Sequence, residues 1–235
     1  NVASGAYSSV VGGEFNTAGS NIAFVGGGMN NTAGSFGSVI AGGRDNNTYA
    51  NYGAIGGGIG NRVNANGGAI GGGSNNTIDS SGTLGAIGGG ILNTVDGDYG
   101  AIAGGYSNTI DTGATYGFIG AGIGNYTKSD YDVIGGGANN HMDTLANYSV
   151  IAGGQRNTMT NYSHGSFIGG GYDNAISGRW AVVAGGWNND AGEDFATVGG
   201  GSNNTAKGRY STVPGGRSNT ATGEHSFAAG YYATA

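Results

Sequence analysis

A single apolar residue recurs at a fixed interval along this chain, followed by glycines and then by an asparagine. The recurring residues, here called anchors, are Val10, Val25, Ile40, Ile55, Ile70, Ile87, Ile102, Ile119, Ile134, Ile151, Ile168, Val183, Val198, Val213 and a degenerate Ala228. Ten of the fourteen spacings are 15 residues and four are 17. A sustained period of this length is the signature of a stacked repeat. Two residues before the anchor the chain is small in every coil except at Asp132, and two after it is glycine except at Ala121. Strand alternation brings these positions to one face with the anchor, so that face can line only a thin core. Eight after the anchor stands a second inward candidate: Ala18, Ala33, Thr48, Val63, Ile78, Val95, Ile110, Thr127, Met142, Met159, Ile176, Ala191, Ala206 and Ala221. Each coil therefore predicts two short strands, joined by Gly-Gly and polar turns. Stacked in parallel, the coils predict an all-β fold, a parallel β-solenoid of about 15 coils. No break in composition interrupts the period, so residues 1–235 read as a single elongated repeat domain, a segment of a longer fibre protein.

The outward positions of the anchor strand are apolar too. One before the anchor come Phe24, Val39, Phe118, Val133, Val150, Phe167 and Val182, among smaller residues. Three before it, Tyr7, Tyr52, Tyr99, Tyr116, Tyr131, Tyr148, Trp180, Phe195 and Tyr210 are aromatic. Strands apolar on both faces are buried on both faces, and one coil has only one interior. The second face therefore predicts a partner, since a continuous apolar stripe is rare on a soluble monomer. The expected subunit interface comprises these two outward rows, from Phe24 to Tyr210.

Six after the anchor is asparagine without exception: Asn16, Asn31, Asn46, Asn61, Asn76, Asn93, Asn108, Asn125, Asn140, Asn157, Asn174, Asn189, Asn204 and Asn219. A row of ligand-binding amides is the competing reading. An asparagine ladder inside a turn is favoured, because each amide can bond its neighbours and satisfy orphaned backbone groups. The paired glycines read as positions of unusual φ or close backbone approach. Gly120-Ala121-Gly122-Ile123-Gly124 approaches a dinucleotide pattern but lacks the strand–helix context. The four 17-residue coils carry their extra residues before the aromatic position, in stretches such as Asp79-Ser80-Ser81-Gly82 and Thr160-Asn161-Tyr162-Ser163-His164. Such insertions gather on one side of a repeat, as surface loops or binding loops.

Composition changes the picture only a little. The chain has 56 glycines, one proline, no cysteine and a net charge of −6. The fixed phase of its apolar residues argues against disorder. The acidic balance and eight dispersed Lys and Arg argue against a nucleic-acid partner. No apolar run is long enough for membrane insertion by this segment. The expected cofactor complement is none.

Chemistry-bearing residues are sparse. His141, His164 and His225 occupy different phases in distant coils. Asp79, Asp96 and Asp111 share one phase and would stand about 5 Å apart, a weak candidate row for calcium; turn caps are the commoner use. With no cysteine nucleophile and no paired-carboxylate phase, an enzyme is not expected. Thr17, Thr32, Thr77, Thr94, Thr109, Thr158, Thr205 and Thr220 form one outward row, broken by Arg62, Tyr126, His141 and Asp190. Seven Asn-X-Ser/Thr sequons fall at Asn30, Asn46, Asn75, Asn125, Asn147, Asn161 and Asn203, and the repeat generates them by composition alone.

The stretch Ser211-Thr212-Val213-Pro214-Gly215-Gly216-Arg217-Ser218-Asn219-Thr220-Ala221-Thr222-Gly223 resembles the head repeats of trimeric autotransporter adhesins and the repeat shafts of bacteriophage tail fibres. Glu224-His225-Ser226-Phe227-Ala228-Ala229-Gly230-Tyr231-Tyr232-Ala233 is similar to the adhesin repeat itself. The resemblance covers essentially the whole chain, although the period here is 15 rather than 14 residues. It implies a left-handed parallel β-roll, a homotrimer of parallel chains, and a fibre that adheres or spaces. The expected function is a structural and adhesive segment of an extracellular fibre, on a cell surface or a virion, with a host-surface receptor or glycan as partner. The alternatives are a flat-surface binder, ice included, and a glycan-binding fibre.

Overall fold

The computed structural model describes residues 1–160 and 162–235; the sequon at Asn161, within the 160–164 loop, lies outside the described residues. The chain divides into two compact units, Asn1–Tyr116 and Gly117–Ala235. Among the described residues there is no helix, and every strand is two residues long.

In the first unit the anchor strands Ser9–Val10, Phe24–Val25, Val39–Ile40, Ala54–Ile55, Ala69–Ile70, Ala86–Ile87 and Ala101–Ile102 pair in parallel, each with the next. The second strands, from Val2–Ala3 and Thr17–Ala18 through to Thr109–Ile110, do the same. In the second unit the anchor strands run from Phe118–Ile119 to Thr212–Val213, and the second strands from Tyr126–Thr127 to Thr220–Ala221. Each unit is a parallel β-solenoid, and about 15 coils are present in all. Register advances by 15 residues, as in Phe24↔Val39, or by 17, as in Val150↔Phe167.

A third column of single-residue parallel bridges was not foreseen. It joins Glu14, Met29, Arg44, Ile59, Ser74, Ile91 and Tyr106 in the first unit, and Ile123, Ala138, Gln155, Tyr172, Trp187, Ser202 and Arg217 in the second. These residues stand four after each anchor, in what the sequence presents only as a turn.

The interior is as thin as the pattern demands. The anchors from Val25 to Val213 and all the residues eight positions after them are buried. Small residues five and two before the anchor close the remaining side, among them Ala50, Ala65, Ala114 and Ala146, then Ala23, Ser38 and Ala181. Between these elements the chain turns sharply through left-handed backbone. Gly43, three after its anchor, has φ +95°; a Cβ there would meet the carbonyl oxygen of Gly58 at 2.2 Å and Nδ2 of Asn46 at 2.5 Å. Glycine at this phase is thus a steric requirement. The last coil runs one residue short, Gly216 pairing with Gly230 and Arg217 with Tyr231.

Candidate interaction surface

The asparagine row is a buried ladder within each unit. Asn61 shows its logic. Its Nδ2 donates to the carbonyls of Gly57 at 2.9 Å, in its own coil, and of Gly73 at 3.0 Å, in the next. Its Oδ1 accepts the backbone N–H of Asn76 at 3.0 Å, and its own N–H donates to Oδ1 of Asn46 at 3.0 Å. The second unit repeats this, as when Asn157 Nδ2 bonds the carbonyls of Gly153 and Gly171 while its Oδ1 accepts Asn174 N–H. The amides are consumed by the backbone, which leaves no donor for a ligand. The rung also extends to Asn1, whose Oδ1 accepts Asn16 N–H and whose Nδ2 reaches Gly13 O. At the other end Ala233 N–H bonds Asn219 Oδ1 where an asparagine would stand. The sequons at Asn46 and Asn125 belong to this buried row, whereas Asn30 and Asn75 are exposed.

The outward rows of the anchor strand lie open to solvent in the single chain. Phe24, Val39, Phe118 and Phe167 are 37–40% exposed. Val133, Val150 and Val182 are half-buried. Tyr52, Tyr99, Tyr116, Tyr131, Tyr148, Trp180, Phe195 and Tyr210 are all exposed. The aromatic row is not part of the strand, as alternation alone would have it. Each of these residues holds a positive φ, from 55° at Trp180 to 62° at Tyr148, and forms the corner at which the chain enters the anchor strand. Bulky side chains rarely adopt this conformation. Here it points rings from successive coils the same way, so that they stack. Tyr99 lies on Tyr116 at 4.7 Å between ring centres, Tyr131 on Tyr148 at 4.8 Å, and Phe195 on Tyr210 at 4.8 Å. Within these stacks the ring faces lie against one another, whereas Tyr52 and Trp180 make edge contacts with Phe36 and His164.

The unforeseen bridge column adds a second exposed apolar row: Met29, Ile59, Ile91 and Tyr106 in one unit, Ile123, Tyr172 and Trp187 in the other. Its signal was available four positions after the anchor, where large apolar side chains alternate with polar ones. The threonine row, by contrast, is half-buried on the second strands, and His141 fills its gap by stacking on Tyr126 at 4.7 Å.

Two of the three aspartates of the metal candidate, Asp79 and Asp111, mark insertions. In three of the four 17-residue coils the two extra residues follow an aspartate at the ninth position after the anchor, which caps them; the coil after Ile151 has Thr160 there. Asp79 Oδ1 accepts Ser80 N–H at 2.8 Å, and Asp111 Oδ1 accepts Thr112 N–H at 2.7 Å. Asp143, which the sequence reading did not single out, does the same for Thr144 at 2.8 Å. Bonds from Ser80 and then Asn64 hold the Asp79 carboxyl below its ordinary range. Asp96 stands in a 15-residue coil without an insertion to cap, and burial followed by its neighbours Asp79 and Asp111 pushes its carboxyl upward. Among the described residues no three His, Cys, Asp or Glu gather closely enough to hold a metal ion.

No helix among the described residues is long and apolar enough to cross a membrane. The chain matches no protein-family model, and no curated protein matches it significantly.

Proposed function

We propose that this chain is a structural and adhesive segment of an extracellular fibre, assembled as a homotrimer through the outward rows of its anchor strands. The observation that carries this reading is the exposed apolar row on the anchor strands of each unit, Phe24 and Val39 in the first and Phe118 and Phe167 in the second, beside stacked aromatic corners. Large contiguous apolar faces on soluble proteins are association surfaces. A repeat in which every coil contacts only its neighbours suits a spacer, and its repeated outer positions suit many weak contacts to a receptor. The ladder amides, and the aspartates that cap insertions, are engaged by the chain's own backbone, which fits a structural role.

The test is the solution mass of residues 1–235 by light scattering behind a sizing column. A mass near three chains supports the fibre segment. A clean monomer removes the trimer and moves flat-surface binding, ice included, to first place, to be checked by thermal hysteresis.

A further inference from the structure

Asp132 is the one side chain that breaks the small-residue column two before the anchor, and it is fully buried. In the coils that follow it, serine fills the position and forms a small ladder. Ser149 Oγ accepts Ser166 N–H at 3.0 Å and donates to Ser163 O at 2.9 Å; Ser166 Oγ accepts Ala181 N–H at 3.0 Å and donates to Gly178 O at 3.0 Å. Asp132 keeps the accepting half of this arrangement, its Oδ1 taking Ser149 N–H at 3.1 Å. Its other oxygen meets Ser129 Oγ at 2.6 Å and Thr127 Oγ1 at 3.1 Å. Ser129 Oγ in turn lies 2.9 Å from the carbonyl oxygen of Asp143.

A serine hydroxyl has one proton. If Ser129 donates it to the Asp143 carbonyl, the short contact to Asp132 requires a proton on the carboxyl. If the carboxyl is ionised, Ser129 must turn its proton inward, and the Asp143 carbonyl keeps only a long 3.3 Å bond from Ala146 N–H. Asp132 therefore touches both ends of one inserted corner: Asp143 through Ser129, and Ser149 directly. We propose that Asp132 is a proton-operated clamp, whose protonated carboxyl holds the corner 143–149 of the following coil closed and whose ionisation loosens it.

Of the charged groups around it, Asp130 raises its carboxyl further through its charge. Asp130, on the same turn, and Asp143, turned to Thr144, are both acidic. Lys128 alternates outward between the buried Thr127 and Ser129, and His141 stands outward beside the buried Met142. Burial raises the Asp132 carboxyl to about 7, against the opposing bonds from Ser129, Ser149 and Thr127. In an opened corner the carboxyl returns to its ordinary 3.8. Opening thus becomes about tenfold easier per pH unit between those values and levels off above the upper one.

Hydrogen exchange of residues 143–149, corrected for the intrinsic pH dependence, tests this at pH 5 and pH 7.5 with residues 205–221 as internal reference. In the wild-type chain protection of 143–149 should fall at least tenfold more than that of the reference. Asp132→Asn mimics the protonated acid, its amide donating to Ser129, and should flatten the response to within twofold. Asp132→Ser, which restores the serine ladder, should do likewise. Equal protection of the wild-type corner at both pH values, or an unchanged fall in a folded Asp132→Asn chain, overturns the proposal. Should neither variant fold, the wild-type comparison against 205–221 decides alone.

Discussion

At the scale of single residues, the fold rests on side chains that act as pieces of backbone. Truncating Asn61 to alanine would strand the Asn76 N–H and the Gly57 carbonyl, and would leave the Gly73 carbonyl with only its bond from Ile59 N–H. A buried group left without its partner costs about 1–3 kcal/mol, so Asn61→Ala should lose on the order of 3 kcal/mol or more in denaturant unfolding. Asn75→Ala, on the exposed neighbour, should lose under about 1 kcal/mol. A loss at Asn61 no larger than at Asn75 would remove the ladder from the account. Asp132 carries a pH-dependent contribution of its own. Its folded value of about 7 lies above the ordinary 3.8, so its contribution is complete below the ordinary value and is lost as pH rises toward the folded one. The full shift corresponds to at most about 4 kcal/mol. Asp132→Asn should therefore lose less stability than wild type between pH 4 and pH 7, and the two curves should run parallel above about pH 8.

At the scale of the coil, backbone conformation decides what each phase tolerates. Gly43→Ala should cost about 3 kcal/mol, since its Cβ would press on the fixed Gly58 carbonyl. The left-handed corner before the anchor strand divides its occupants into two kinds. Leu84 holds φ 56° while 54% exposed, so Leu84→Gly should be neutral or stabilising by up to about 1 kcal/mol. Tyr99 holds φ 57° but stacks on Tyr116, so Tyr99→Gly should destabilise the chain. A matching response at both positions would show that stacking contributes nothing. These corners also show what the sequence could reveal. The anchors, the inward residues eight positions later and the asparagine ladder were legible because burial allows few residue types there. The positive φ of Tyr52 or Trp180 was not, because a row of aromatics continues the strand's alternation in the sequence while the backbone has already turned. The third bridge column recurs four after each anchor, but a single paired residue after a run of glycines shows none of the alternation that marks a strand. Asp96 disguised the insertion caps by sharing the phase of Asp79 and Asp111 without an insertion beside it.

At the scale of the whole molecule, the prediction concerns association. Phe118→Asp with Phe167→Asp places charges on the outward side of two anchor strands without touching the buried Ile119 and Ile168. In the proposed trimer this pair should reduce the solution mass toward one chain and lower the melting temperature. The wild-type melting temperature should rise with protein concentration, as it does when folding and assembly are linked. An unchanged mass and melting temperature in the double variant would exclude these strands from any seam. The proposed interface was legible in the sequence as an apolar pattern, yet its partner was not, because a pattern states what must be covered and not what covers it.

The inserted residues have one further implication. Ser80-Ser81, Thr112-Gly113 and Thr144-Leu145 all enter between a capping aspartate and a buried small residue, and in each case the small residue's N–H bonds back to the aspartate's carbonyl: Gly82 to Asp79, Ala114 to Asp111, Ala146 to Asp143. The gate closes behind the added residues, so the ladders on either side keep count as though nothing had been added. This corner is a natural grafting port. A foreign peptide spliced after Asp79 or Asp111 would be displayed at a set height on the coil stack, and several different peptides could be carried at chosen coil intervals on one chain.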